Sequence, residues 1–411
     1  MTQKTALEIM LSGANVFLTG APGAGKTFVL NDFIQAARDD GKKVAVTAST
    51  GIAASHIGGT TIHSWSGTGI RETISKEDLQ MYANNTRLRK RYNKADILVI
   101  DEVSMLHGAR LDMVNVIAKQ LRGNHAPFGG LQVILVGDLF QLPPVSRNTD
   151  TFDFAYKSYA WENLHLDICY LTEQHRQGGD DALLGILEAM RQGNLTPEHK
   201  LALSARLKAH ADPKTITRLY SHNIDVDTIN KDHLDAIKSK PQLYSMVVDG
   251  NDYLVQTLKK NVLAPEKLEL KVGAEVMFVA NNFEDRVFNG SRGTVKKFTK
   301  AGDPVVKLKT GRSLVVEPHT WSIKEDERVL ASVEQVPLRL AWAITIHKSQ
   351  GMSLDAAEID LSKAFQPAMG YVALSRVRSL NGLYLQGINE MALMMHEDIY
   401  ELDARLREAS K

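Results

Sequence analysis

A single cysteine, Cys169, stands among 411 residues. That excludes an intramolecular disulfide and a cysteine-based zinc site, and it fits a reducing compartment. The chain also lacks any apolar run approaching the ~18 residues that a membrane-spanning helix needs. Its first residues, MTQKTALEIM, have neither the apolar core of a signal peptide nor Arg-rich transit character. A cytoplasmic protein is expected, nucleoid-associated in a bacterium. An excess of one charge sign is missing too. The formal net charge is +1, so composition announces no nucleic-acid partner and any basic surface must be local. No internal repeat or low-complexity tract is visible. What remains, 44% hydrophobic and 24% charged residues, describes an ordinary soluble globular chain, long enough for about two or three domains.

Against that plain background one stretch stands out: GAPGAGKT, residues 20–27, directly after the apolar run Val16-Phe17-Leu18. Gly20, Gly23, Ala24 and Gly25 supply a flexible loop whose backbone N–H groups can wrap phosphates. Lys26 reaches the β/γ oxygens, and Thr27 offers a hydroxyl to Mg²⁺. The context such a loop requires is a strand before and a helix after. Residues 15–19 (NVFLT) read as the strand, and Val29, Leu30, Phe33, Ile34 and Ala37 recur at helical spacing. A chance Gly-rich turn would not bring both flanks.

Further apolar runs at Val44–Thr47, Ile97–Ile100 and Gln132–Val136 alternate with helical stretches, which predicts a parallel sheet covered by helices. A second set follows at Ile216–Tyr220, Leu338–Ala343, Ala357–Asp360 and Leu383–Leu385. Between the two sets, residues 272–317 carry short β-branched runs broken by Gly, Asn and Asp, the texture of a small β-barrel. The expected fold class is therefore α/β, two such domains with an all-β insertion in the second.

The run ILVIDEVSM places Asp101 and Glu102 just past a buried strand. Asp101 is suited to hold Mg²⁺ and Glu102 to polarise an attacking water. The next strand leads into VGDLFQLPPV, where Gln141 is placed to sense a γ-phosphate; a simple turn before Pro143-Pro144 is the alternative. Arg176 in LTEQHRQ and Arg376 in GYVALSRVRSL are candidate arginine fingers for a metaphosphate-like transition state. If either comes from the second domain, the phosphates lie in a cleft that closes around ATP. The nonapeptide TRLRKRYNK, residues 86–94, carries Arg87, Arg89, Lys90, Arg91 and Lys94 with no acid. It suits a DNA fork, with a solvated basic helix face as the alternative.

Taken in order, GAPGAGKT, TASTGIAA, GGTTIHSW, VIDEVSML, VGDLFQLPPV, LTEQHR, AWAITIHKSQGMSLD and GYVALSRVRSL resemble superfamily-1B DNA helicases. More narrowly they are similar to the petite-integration-frequency (Pif) family and its RecD-like and Dda-like relatives. The segment Glu102–Arg122 resembles the signature that sets the Pif family apart. The resemblance covers nearly the whole chain. It implies two RecA-like P-loop NTPase domains with a small 1B insertion and an SH3-like all-β 2B insertion. On this sequence the bounds are 1–176 for 1A with 1B at about 64–94, 177–230 and 335–411 for 2A, and 231–334 for 2B.

The resemblance also implies ATP and Mg²⁺ as cofactors and 5′→3′ movement on single-stranded DNA, with tailed or forked duplexes as partners. Replication, repair or recombination is the expected setting, and a monomer the expected state. It gives Lys26, Thr27, Asp101, Glu102, Gln141, Arg176 and Arg376 the roles argued above. Gln3 matches an adenine-reading glutamine, and Gln350-Gly351 face the nucleotide from 2A. Thr50 and His63 on 1A, with His347 and Lys348 on 2A, match strand-contacting positions. Phe140 either stacks on a base or packs in the core. No long terminal extension of the kind larger members carry is expected, and functions resting on one are not carried over. A second class stays open: an ATP-gated protein that grips nucleic acid and displaces bound proteins without processive unwinding. A recombination-nuclease motor is weaker, since no nuclease-type carboxylate cluster appears outside the ATP residues.

Overall fold

The computed structural model describes residues 1–410 apart from 70, 72, 145–151, 174–180, 208–215, 281, 283–284, 286, 288–290, 309–310, 326–327 and 353. The chain forms two compact units, one of residues 1–199, 365–375 and 390–411, the other of 200–364 and 376–389.

The first unit is built on six parallel strands: β1 (Val16–Gly20), β2 (Val44–Ala48), β3 (Thr60–Thr61), β4 (Ile97–Asp101), β5 (Gln132–Val136) and β6 (Asp167–Leu171). Their order is β3-β2-β4-β5-β1-β6. Val16, Phe17, Leu18, Leu98, Val99, Ile134 and Leu135 are fully buried, as parallel strands covered on both faces require. The helix Lys26–Asp39 buries Val29, Leu30, Phe33, Ile34 and Ala37, the face its spacing predicts. Past β3 the chain forms the short helices Ile62–Ser66, Lys76–Asn84 and Thr86–Lys94. The second starts at a capping box in which Ser75 and Asp78 each bind the other's backbone N–H.

Residues 365–375 and 390–411 pack with this unit, whereas the sequence groups them with 335–364. The reason is polar as well as apolar: Tyr371 and Asp403 both bond the buried Arg191, which ends the helix Asp181–Arg191.

The second unit holds a four-stranded parallel sheet in the order Ala343–Thr345, Thr217–Tyr220, Ala357–Leu361, Leu383–Ile388. It also holds a five-stranded antiparallel sheet in the order Ser313–Val315, Pro304–Leu308, Arg292–Phe298, Glu275–Phe278, Leu338–Leu340. That sheet encloses its own core of Val276, Val295, Val306 and Leu338, among others, and is the all-β insertion expected from residues 272–317. A further sheet of His319–Glu325, Arg328–Gln335 and Val247–Gly250 is packed by the helix Asp252–Asn261, burying Val255 and Leu258 against Ala331 and Val333.

One expectation is corrected. The run Leu338–Ala343 is not one strand. Leu338–Leu340 pairs antiparallel with Glu275–Phe278, and Ala343–Thr345 pairs parallel with Thr217–Tyr220. The chain changes sheet between them, where the Ala341 N–H donates to Glu275 O at 3.0 Å and Trp342 O accepts from Arg218 N at 2.9 Å.

Candidate active site

The phosphate loop leaves β1 with Gly20, Gly23 and Gly25 at φ of +144°, +88° and +88°, a left-handed region where a Cβ is strained. Gly20 also has no room for a side chain, since a methyl there would meet Leu171 O at 2.7 Å. Lys26 opens the following helix and donates to Gly20 O at 2.7 Å and Ala21 O at 3.1 Å. Its ammonium is thus folded over the loop it stems from. Burial lowers the Lys26 pKa, while Asp138 and then Glu102 push back. Thr27 is exposed. Gln3, on the helix Gln3–Leu11, donates to Ala24 O at 3.1 Å and so reaches the loop.

Asp101 ends β4 and accepts the Glu102 N–H at 2.8 Å. Glu102 takes the left-handed conformation, φ 51° and ψ 46°, which is uncommon for a residue with a Cβ. Ser49 Oγ donates to Glu102 O at 2.7 Å and holds that turn. Burial, with the neighbouring Glu102 carboxylate, raises Asp101 to about 7. Beyond β5, Gln141 donates its backbone N–H to Asp138 O at 2.9 Å and is buried. Lys26, Asp101, Glu102 and Asp138 interact electrostatically, so the loop ends after β1, β4 and β5 form one charged cluster. Parallel strands deliver them to the same edge of the sheet.

The remaining expected residues fall as follows. Arg176 lies outside the described residues. Arg376 belongs to the second unit, is 4% exposed, and donates to Met352 O at 3.3 Å. In the same unit Gln350 is buried and Gly351 has φ of +77°. His347 and Lys348 lie on the short turn His347–Ser349, and burial lowers the pKa of both.

Thr50 caps the helix Gly51–His56, its hydroxyl accepting from Ala53 N at 3.2 Å. His63 is pushed down to about 4 by burial, with Arg110 and His107 adding to the shift. Arg87 and Arg89 are exposed on the helix Thr86–Lys94. Arg91 instead donates to Ser64 O at 3.2 Å and Trp65 O at 2.8 Å. Phe140 is 2% exposed, with the Arg191 guanidinium 4.4 Å from its ring centre and the Tyr371 and Tyr400 rings at 6.4 and 5.8 Å. Of the two readings open to it, core packing describes this arrangement.

Sequence reasoning missed Arg191 and Tyr371. Asp138 was in view inside VGDLFQLPPV, but nothing local marks the arginine that pairs with it.

A parallel sheet of this order, with a glycine-rich loop and lysine after β1 and an Asp-Glu pair after β4, defines a P-loop nucleoside-triphosphatase unit. The chain belongs to the PIF1-like helicase family. That family's model matches residues 2–194, and the model for the DNA helicase Pif1 2B domain matches residues 253–298. It is 41% identical to the ATP-dependent DNA helicase Pif1 of Psychrobacter sp., over 100% of this chain and 71% of that protein. The crystal structure of Pif1 helicase from Candida albicans is similar over 98% of both chains, with a TM-score of 0.83 and 36% identity. Bacteroides sp. Pif1 in complex with ADP-AlF4 is similar at a TM-score of 0.85 and 29% identity, over 99% of this chain and 96% of that one. No described helix is long and apolar enough to cross a membrane.

Proposed function

We propose that the chain is an ATP-dependent DNA helicase that moves 5′→3′ along single-stranded DNA and unwinds tailed or forked duplexes. The observation that carries this reading is the cluster of Lys26, Asp101 and Glu102 at one edge of the parallel sheet, in a chain of the PIF1-like helicase family. Gly20, Gly23, Ala24 and Gly25 wrap the phosphates with backbone N–H groups, and Lys26 leaves Gly20 O to bind the β/γ oxygens. Glu102 polarises the attacking water and Gln141 registers the γ-phosphate. Arg176 and Arg376 supply transition-state charge.

A divalent cation fits the donor set. The Thr27 hydroxyl and Asp101 carboxylate are hard oxygen ligands of the kind Mg²⁺ takes, and the adjacent Asp101 and Glu102 leave negative charge for a cation to offset. When bound, Mg²⁺ neutralises phosphate charge. Along the DNA, Thr50, His63, His347, Lys348, Arg87 and Arg89 are the contact residues, and the domain bounds follow the sequence except that residues 365–375 and 390–411 go with the first unit.

The test compares unwinding of 5′-tailed and 3′-tailed duplexes, with ATPase rate measured with and without single-stranded DNA. Unwinding of the 5′-tailed substrate alone is expected. DNA-stimulated ATPase with no unwinding of either would favour the remodelling protein instead, and preference for the 3′ tail would overturn the polarity.

A further inference from the structure

Arg191 is 3% exposed and sits at the centre of a polar knot inside the first unit. Its Nη1 donates to Asp138 Oδ1 at 2.7 Å and to the Tyr371 hydroxyl at 2.8 Å. Its Nη2 donates to the Tyr170 hydroxyl at 2.6 Å and to Asp403 Oδ1 at 3.2 Å. The Tyr371 hydroxyl in turn donates to Asp138 Oδ2 at 3.1 Å. Side chains from four other segments thus meet on one guanidinium.

Burial opposes both charges of the pair, yet each outweighs that penalty for the other. Arg191, with Lys26, holds the Asp138 carboxyl below its ordinary value. Asp138 and the hydroxyls of Tyr371 and Tyr170 keep Arg191 charged. Such a pair is a weak source of stability, because desolvation offsets most of the attraction. What it provides beyond an apolar pair of equal volume is a fixed geometry.

That geometry converges on Asp138, whose other contacts form the turn carrying Gln141. Asp138 Oδ1 also accepts the Phe140 N–H at 3.1 Å, and Asp138 O accepts the Gln141 N–H at 2.9 Å. On the other side of the knot, Tyr371 lies in the helix Met369–Leu374, in the stretch GYVALSR that runs on to Arg376.

We propose that Arg191 is a positioning residue for ATP hydrolysis. It clamps Asp138 so that the turn bearing Gln141 holds one conformation, and through Tyr371 it ties that turn to the segment leading to Arg376. The inference rests on the role assigned to Gln141 under the proposed function.

The experiment measures DNA-stimulated kcat, ATP affinity and melting temperature for Tyr371→Phe, Arg191→Lys, Gln141→Ala and the double variant Arg191→Lys/Gln141→Ala. Arg191→Lys keeps the charge but loses the fork, and Tyr371→Phe removes one hydroxyl while keeping the ring. Each is expected to lower kcat by about 10–100-fold, as misplacement of a catalytic group does, with ATP affinity unchanged. In the double variant the Arg191→Lys loss should vanish into that of Gln141→Ala, because residues acting as a unit are non-additive.

Wild-type kcat in folded Tyr371→Phe and Arg191→Lys, or a full additional loss in the double variant, would overturn the positioning role. Should Arg191→Lys fail to fold, Tyr371→Phe and its double with Gln141→Ala decide the matter in the same way. An unchanged kcat in Gln141→Ala would instead remove the underlying reading of Gln141, a separate and recognisable failure.

Discussion

Gln3 lies over Gly25: the Gln3 side-chain amide donates to Ala24 O at 3.1 Å, and a methyl built on Gly25 would stand 1.9 Å from Gln3 Nε2. The glutamine therefore braces the phosphate loop as well as standing where an adenine-reading residue is expected. Gly25→Ala meets both that clash and a φ of +88°, a backbone strain of about 1–3 kcal/mol. Titration with a fluorescent ATP analogue should show a large loss of affinity. Adding Gln3→Ala should restore little of it, because the torsion remains unfavourable. Full recovery in the double variant would mean the clash alone matters.

Lys26→Ala removes the ammonium that folds over the loop. Hydrolysis should fall by about 100-fold or more, the cost of losing a transition-state electrostatic contact, and unwinding should cease. Single-stranded DNA should still bind, since its contact residues lie elsewhere. ATPase near wild type would contradict the phosphate-loop assignment.

Arg376→Ala should bind ATP nearly as well as wild type, yet lose about 10³–10⁵ in kcat on DNA, the usual cost of a missing arginine finger. Arg376→Lys should rescue little, because a lysine cannot reproduce the planar fork. Normal hydrolysis in either variant would refute the finger. Loss of folding instead would show that its role is structural.

Neutralising Arg87 and Arg89, both exposed on the helix Thr86–Lys94, should flatten log K against log [salt] for single-stranded DNA by about 0.7 per lost contact. Arg91→Gln should behave differently. It removes two bonds to the carbonyls of Ser64 and Trp65, so the melting temperature should drop instead. An unchanged slope in the Arg87/Arg89 variant would return this helix to a merely solvated face.

His63 offers a test in pH. Burial, reinforced by Arg110 and His107, pushes its pKa from 6.5 to about 4. Below pH 6.5 the unfolded chain gains a proton at this site that the folded one does not take up until about 4. Stability therefore falls as pH drops through that window and is unaffected above it. Melting curves of His63→Gln should show a shallower loss from pH 7 to pH 5 than wild type. Because His63 is neutral at pH 7, the same variant should leave the salt slope of DNA binding unaltered.

Much of this protein was legible locally. The phosphate loop and the helix face Val29, Leu30, Phe33, Ile34 and Ala37 could be read because periodicity and contiguous motifs encode short-range structure. The strands that carry Asp101 and lead to Gln141 were legible for the same reason. Their order along the chain, together with the parallel βα alternation, was enough to bring Lys26, Asp101 and Glu102 to one sheet edge.

What tertiary structure alone decided was the fate of side chains whose partners lie far away in sequence. Leu338–Ala343 reads as one apolar run, yet it feeds two sheets because strands from two distant regions compete for its backbone. Phe140 and Arg91 look like an aromatic and a cation available to DNA, until the segments that bury or bond them arrive. Arg191 carries no local signal at all. A buried charge survives only where other segments supply its counter-ion and acceptors, and here Asp138, Tyr170, Tyr371 and Asp403 come together only when the chain has folded.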